Sequence, residues 1–290
     1  MDRKDFLKYG ILGSGIFASG PAAASILNNN IDEIKPLEIL GFNHLPTSNP
    51  QVMANIVLHK AAKRGYANHG WLESYHSFSF ASYYNPEQMH FGVLRVLNDD
   101  RIAGGAGFGT HPHDNMEIVS IPLSGALEHK DSMGNVAVIS KGEIQVMSAG
   151  TGISHSEKNK NTKEEAKFLQ IWIIPNKRNV TPRYDQIKLN AEERVNTFQQ
   201  ILSPSPNDAG VWIHQDAWFH LADFEPGKSS DYQIKKSGNG VYAFVLSGTA
   251  TINGIELEAR DGLGVWNTDK IEVKANSQLE ILLMDVPMAI

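Results

Sequence analysis

From Ile56 to Met284 the chain is cut into short apolar or alternating runs rich in β-branched residues, with turn residues between them. Period-two alternation marks a strand with one buried face, and runs this short cannot build a helical stripe. In the first half the runs are Ile56–Leu58, Gly92–Leu97, Ile118–Leu123, Val136–Ile139, Glu143–Ser148 and Phe168–Ile174. Turn chemistry separates them, as at Asn98-Asp-Asp100, Asp131-Ser-Met-Gly-Asn135 and Lys141-Gly142. No segment there sustains a helical period. After a connector bounded by Pro175 and Pro182 comes a second set: Val211–His214, Trp218–Phe224, Val241–Leu246, Thr249–Ile252, Gly262–Trp266, Ile271–Val273 and Leu279–Met284. Between the sets, Leu189–Phe198 could carry a short helix. Many short strands at this spacing predict an all-β chain of sandwich or jelly-roll type.

The two sets echo each other. Val241-Tyr-Ala-Phe-Val-Leu-Ser-Gly248 repeats the form of Ile118-Val-Ser-Ile-Pro-Leu-Ser-Gly125, and Asp261-Gly-Leu-Gly264 sits where Lys141-Gly-Glu-Ile144 does. A duplicated β-barrel unit accounts for both. The expected organisation is a first barrel over residues 54–180 and a second over 181–290. Upstream, Arg3-Lys-Asp-Phe-Leu-Lys8, a Gly/Ala-rich apolar stretch and Pro21-Ala-Ala-Ala24 have the parts of an export signal over residues 1–27. That start resembles a twin-arginine signal with Lys in place of the second Arg, and implies periplasmic export, with no stable membrane anchor after cleavage. The alternative is an N-terminal helix on a cytoplasmic protein. Residues 28–53, with Asn28-Asn-Asn30 and Pro36, Pro46 and Pro50, read as a linker.

A net charge of −6 and the lack of any Lys/Arg cluster interleaved with aromatics argue against nucleic acid as a partner. The chain has no cysteine, which removes thiolate ligands, disulfides and cysteine nucleophiles together. Metal chemistry would therefore fall to histidine and carboxylate.

Two pairs supply that chemistry: His111-Pro-His113 and His155-Ser-Glu157. In a strand, residues i and i+2 point to the same face, so two neighbouring strands would aim three imidazoles and a carboxylate into one cavity. Glycine-bearing stretches, Gly104-Gly-Ala-Gly-Phe-Gly109 and Ala149-Gly-Thr-Gly152, precede both pairs and suit close backbone approach at a barrel corner. Imidazole suits Fe, Ni, Cu, Zn and Mn, and such a set leaves coordination positions open. The second barrel lacks both pairs.

The stretches Gly109-Thr-His-Pro-His-Asp-Asn-Met-Glu-Ile118, Gly125-Ala-Leu-Glu-His-Lys-Asp-Ser-Met-Gly-Asn135 and Gln145-Val-Met-Ser-Ala-Gly-Thr-Gly-Ile-Ser-His-Ser-Glu157 resemble the pirin family of the cupin superfamily. Asn68-His-Gly-Trp-Leu72, Ser77-Phe-Ser-Phe80 and Gln170-Ile-Trp-Ile-Ile-Pro175 extend the match, which is nearest to bacterial pirin-like quercetin 2,3-dioxygenases. The resemblance implies a bicupin with one divalent metal, Fe(II) first, with Ni, Cu, Mn, Co or Zn as alternatives. His111, His113, His155 and Glu157 would hold it. It further implies a flavonol or related phenolic substrate and O2, with Glu157 taking the 3-hydroxyl proton, ring opening and loss of carbon monoxide. Two alternatives stand beside it: a metal-dependent redox-sensing or regulatory binding protein, and a dioxygenase or isomerase for another enediol. Glu117 shares strand parity with the first pair and is held as an alternative ligand or a neighbour of the site. His129 is expected at an exposed hairpin position, His69 and His76 in packing roles, and Trp172 in the core. Phe108 and Met116 are expected beside the cavity.

Overall fold

The structure, a computed structural model, describes residues 54–290. The expected export signal and linker lie outside the described residues. Within them the chain forms two cupin-type jelly-roll barrels, each made of a seven-stranded and a four-stranded sheet. The all-β bicupin expectation holds.

The two large sheets follow the same order. In the first it is Arg183–Lys188, Glu143–Ser148, Glu117–Ser124, Ala166–Ile173, Leu94–Ile102, Leu72–His76, Gly65–Asn68. In the second it is Asn55–His59, Gly262–Trp266, Asn239–Ser247, Leu279–Pro287, Trp218–Phe224, Gln199–Ser203, Val211–Trp212. The two echoing segments thus occupy the third place in each sheet, and the Gly142 and Gly262 regions lead into the second. Gly125 and Gly248 both take positive φ, 70° and 80°, where a side chain would be strained.

The order also shows an exchange across the boundary near residue 180. Asn55–His59 pairs antiparallel with Gly262–Trp266 of the second barrel, and Arg183–Lys188 pairs with Glu143–Ser148 of the first. Each barrel takes its edge strand from the other half, which ties the two together.

Period-two alternation then sorts side chains between two destinations. Val119 and Ile121, Leu169 and Ile171, Tyr242 and Phe244, and Leu282 and Met284 meet in one core between the two large sheets. Their alternate neighbours Val241, Ala243, Val245, Ile281 and Leu283 fill the second barrel. A sheet buried on both faces needs nearly continuous apolar sequence, which is why Val241–Leu246 carries no polar residue. The helix expected within Leu189–Phe198 is only a 3-10 turn at Ala191–Arg194, capped by the Asn190 side chain accepting from the Glu192 N–H. It buries no residue, so no apolar stripe supports a longer helix.

Candidate metal centre

The four-stranded sheet of the first barrel carries both pairs. Gly107–His113 lies antiparallel to Ile153–Asn159, with His155 opposite His111 and Ile153 opposite His113. Between His155 and Glu157 the register shifts, so that Glu157 stands opposite Phe108. Such a bulge re-aims side chains beside it. Gly107 lets the two strands approach here, since a Cβ on it would run into the Glu157 carbonyl oxygen and lie 2.5 Å from Lys158 Cα.

His111, His113 and His155 converge. One ring nitrogen from each lies within 4.8 Å of the other two, and the ring centroids are 4.4 to 5.0 Å apart. All three are buried, and burial drives their pKa values down, to about 3 for His113 and well below the ordinary value for His155. Neutral imidazoles with free lone pairs are metal ligands. His111 Nδ1 donates to the Gly109 carbonyl at 2.8 Å, which leaves its Nε2 as the ligand atom. His155 Nε2 is buried with no hydrogen-bond partner at all. A buried polar atom without a partner is costly, and an ion bonded to all three nitrogens would satisfy it. The residues therefore fit a divalent metal.

Glu157 is on the same strand and 1% exposed, but its carboxylate is not part of the three-histidine cluster. Oε1 accepts from Ser120 Oγ at 3.1 Å, and Oε2 accepts from Gln170 Nε2 at 2.7 Å. Around it the barrel interior is polar. Ser120, Gln145, Gln170 and Asp100 all point inward and are buried, and neither amide atom of Gln145 has a partner. Burial pushes the Asp100 carboxyl up to about 8, against a hydrogen bond from Ser74 that lowers it. Along each strand these polar residues separate one apolar cluster, including Ile102, Phe108 and Phe168, from another of Ile118, Met147, Ala149 and Ile153. The second barrel also buries polar groups, with Asp285 accepting from Tyr232 Oη at 3.0 Å and from Asn239 Nδ2 at 2.7 Å, but the rest of its interior is an aliphatic and aromatic cluster. The places matching the two ligand strands are Ser229–Gln233 and Lys270–Ala275, with Asp231 opposite Glu272 and no histidine.

Three sequence expectations change. Glu117 does not continue the ligand strand: Asn115 takes φ 46°, its N–H bonds the Gly150 carbonyl, and Glu117 starts a strand of the other sheet. There it accepts from Ser148 Oγ at 2.6 Å, and burial raises its pKa to about 7 although Arg183 pulls it down. His129 is not exposed; it is fully buried beside His155. Leu127, His129 and Asp131 alternate with Glu128 and Lys130, whose ion pair at 3.0 Å marks the outer face. That alternation was the overlooked signal. Trp172 is not plain core: its ring meets His113 edge-on at 5.0 Å and lines a cavity.

That cavity, of about 900 Å³, is walled by Phe80, Met116, Ile153, Trp172 and Ile174 and reaches the cluster at His113, with Arg95 and Arg178 also on its lining. Its size and mostly apolar wall suit a drug-sized organic molecule. Met116 lines it as expected; Phe108 instead packs edge-on against Trp71 at 5.2 Å.

Residues 58–173 match the family model described as Pirin, and residues 200–286 match the one described as quercetinase C-terminal cupin domain. The quercetin 2,3-dioxygenase of Escherichia coli (strain K12) is 46% identical over 232 residues, covering 80% of this chain and 99% of the relative. A pirin-like protein of Caulobacter vibrioides is 39% identical over 224 residues, 77% of this chain and 96% of that one. The crystal structure of bacterial pirin YhhW from Escherichia coli in complex with nickel(II) matches with a TM-score of 0.76 at 45% identity, over 80% of this chain and 99% of that one.

Proposed function

The chain belongs to the pirin family, and from that premise we propose that it is a metal-dependent dioxygenase that opens a flavonol ring with O2 and releases carbon monoxide. The observation that carries this reading is the convergence of three buried, neutral imidazoles at the end of an apolar cavity. His111, His113 and His155 would hold the ion through nitrogen, and Glu157, once turned toward them, would be the fourth ligand; three imidazoles and one carboxylate suit Fe(II), with Ni, Mn, Co, Cu and Zn within the same preference. When bound, the ion supplies Lewis acidity and a template for the substrate oxygens.

The remaining work belongs to the chain. Trp172 and Phe80 wall the cavity for a planar ring system; packed perpendicular to each other at 5.5 Å, one can stack on such a ring while the other meets its edge. Glu157 takes the proton of the 3-hydroxyl, giving up its bonds to Ser120 and Gln170 to turn toward the histidines. Swinging back with the proton, the carboxyl can then donate it to the Ser120 hydroxyl or to Gln170 Oε1, either of which can accept. The apolar clusters above and below the polar layer keep bulk water from the developing anion.

The test is stoichiometric. Iron-loaded protein with quercetin should consume O2 and release carbon monoxide in equal amounts. O2 uptake without carbon monoxide would shift the reading to a dioxygenase for another enediol. No uptake with any flavonol would favour the regulatory binding role.

A further inference from the structure

His129 stands beside the metal cluster and nothing in the chemistry above uses it. It is 0% exposed, and the Tyr184 ring packs against it at 4.6 Å. Its Nε2 lies 3.1 Å from Asp131 Oδ2, and its Nδ1 lies 3.5 Å from His155 Nδ1, at the long end of hydrogen-bonding range.

Donor roles along this line follow from its far end. Asp131 accepts from the backbone N–H groups of Met133 and Asn135, at 2.9 and 3.0 Å, and from Asn135 Nδ2 at 2.8 Å. Those bonds make the carboxylate a fixed acceptor, so the hydrogen between it and His129 sits on His129 Nε2. A neutral imidazole protonated there has its lone pair on Nδ1, which faces His155. His155 Nδ1 must then donate, and the lone pair of His155 falls on Nε2. That is the buried atom without a partner, beside His111 and His113.

We propose that Asp131 and His129 are positioning residues that set the tautomer and ring direction of His155, so that Nε2 is presented as a ligand. Gly109 does the same for His111 through its carbonyl, but a carbonyl is a fixed backbone acceptor. The His129–Asp131 line is instead carried by side chains on the hairpin strand Ala126–Asp131, so substitution can remove it. An outer partner of this kind is worth roughly 10- to 100-fold in metal affinity. The inference rests on the reading of the three histidines as a metal site.

Two measurements test it. Long-range proton–nitrogen NMR on uniformly nitrogen-15-labelled, metal-free protein should show His155 with its hydrogen on Nδ1 and His129 with its hydrogen on Nε2. His155 protonated on Nε2 overturns the proposal. Nickel(II) titration by calorimetry should show about 10- to 100-fold weaker binding for His129→Leu. His129→Gln, whose side-chain carbonyl can accept from His155 Nδ1, should recover most of the loss. If His129→Leu does not fold, Asp131→Asn serves: its amide can offer N–H to His129 Nε2, which reverses the tautomer, and about 10-fold weaker binding is expected. Equal nickel affinity in every variant, with the His155 tautomer unchanged, removes the relay and leaves the metal site standing. Failure of the wild-type chain to take nickel removes the metal reading, while the NMR result still decides the tautomer.

Discussion

Acidifying the metal-free protein should destabilise it steeply between pH 6 and pH 4.5, and the buried histidines set the slope. Desolvation lowers His76 to about 4 and His113 and His220 to about 3, and holds His155 well below its ordinary value. In the unfolded chain each returns to about 6.5 and takes up a proton below that pH. Their folded-state pKa values are depressed, so the stability they contribute is present above about 6.5 and lost as pH falls. Buried carboxyls act in the opposite sense. Burial raises Asp100 to about 8 and Glu117 to about 7, so near pH 5 they hold protons when folded and are largely ionised when unfolded. These four groups against Asp100 and Glu117 leave a net uptake of about two protons on unfolding, or about 2.7 kcal/mol of stability lost per pH unit, to which the depressed His59, His111 and His214 add and from which the raised Asp285 subtracts. Over one and a half units that is roughly 4 kcal/mol, a large part of a typical stability of about 5–15 kcal/mol. Above pH 7 the histidines are neutral in both states, and the two carboxyls erode stability gently as they ionise. Urea unfolding followed by tryptophan fluorescence, in chelator, at half-unit steps from pH 4.5 to 8.5 should give a maximum near pH 6.5. A stability that is flat or rises from pH 6.5 down to 4.5 would refute the assignment of these imidazoles as buried and neutral.

Other outcomes follow from the same geometry. Glu157→Gln keeps the shape of the side chain and its place beside Ser120 and Gln170, so it should retain most bound metal yet lose about 10²- to 10⁴-fold in turnover; full O2 uptake by this variant refutes the base role. Gly92→Ala should lower the thermal midpoint, at a cost of about 2–3 kcal/mol. Gly92 takes φ 51°, and a Cβ there would strike the Pro287 carbonyl and lie 2.9 Å from Met288 Cα; an unchanged midpoint would show that this contact yields freely. If residues 1–27 act as an export signal, mass spectrometry of protein recovered from the native periplasm should find a chain starting close after Ala24; an intact residue 1 would contradict cleavage.

Much of both barrels was readable because short apolar runs bounded by turn residues mark strands, whether one face or both is buried. Glu143–Ser148, Trp218–Phe224 and Gly262–Trp266 appear with the bounds read from sequence. The His pairs were readable because i and i+2 on a strand share a face whatever the partner strand is. What the pattern does not carry is the identity of that partner. Asn55–His59 and Arg183–Lys188 alternate like any strand, and nothing local says that each joins the other half's sheet. Gly65–Asn68 escaped as a polar strand at the sheet edge, and Leu72–His76, paired on both sides, because two of its three buried residues, Ser74 and His76, are polar. Glu117 misled because counting in twos from His113 assumes an unbroken strand, and the positive φ at Asn115 breaks it. The polar layer around Glu157 was hidden for another reason. Ser120 and Gln170 sit singly in apolar runs, and Asp100 ends Asn98-Asp-Asp100, which reads as a turn but lies inside the strand Leu94–Ile102, so only the assembled barrel shows that they share a level.

The central claim is that three imidazoles from two adjacent strands hold one ion. Anomalous diffraction from crystals of the metal-loaded protein tests it most directly. The account predicts a single peak at about 2.0–2.2 Å from Nε2 of His111 and of His155 and from a ring nitrogen of His113. A peak elsewhere, or none at these histidines in crystals that hold the metal, would contradict it.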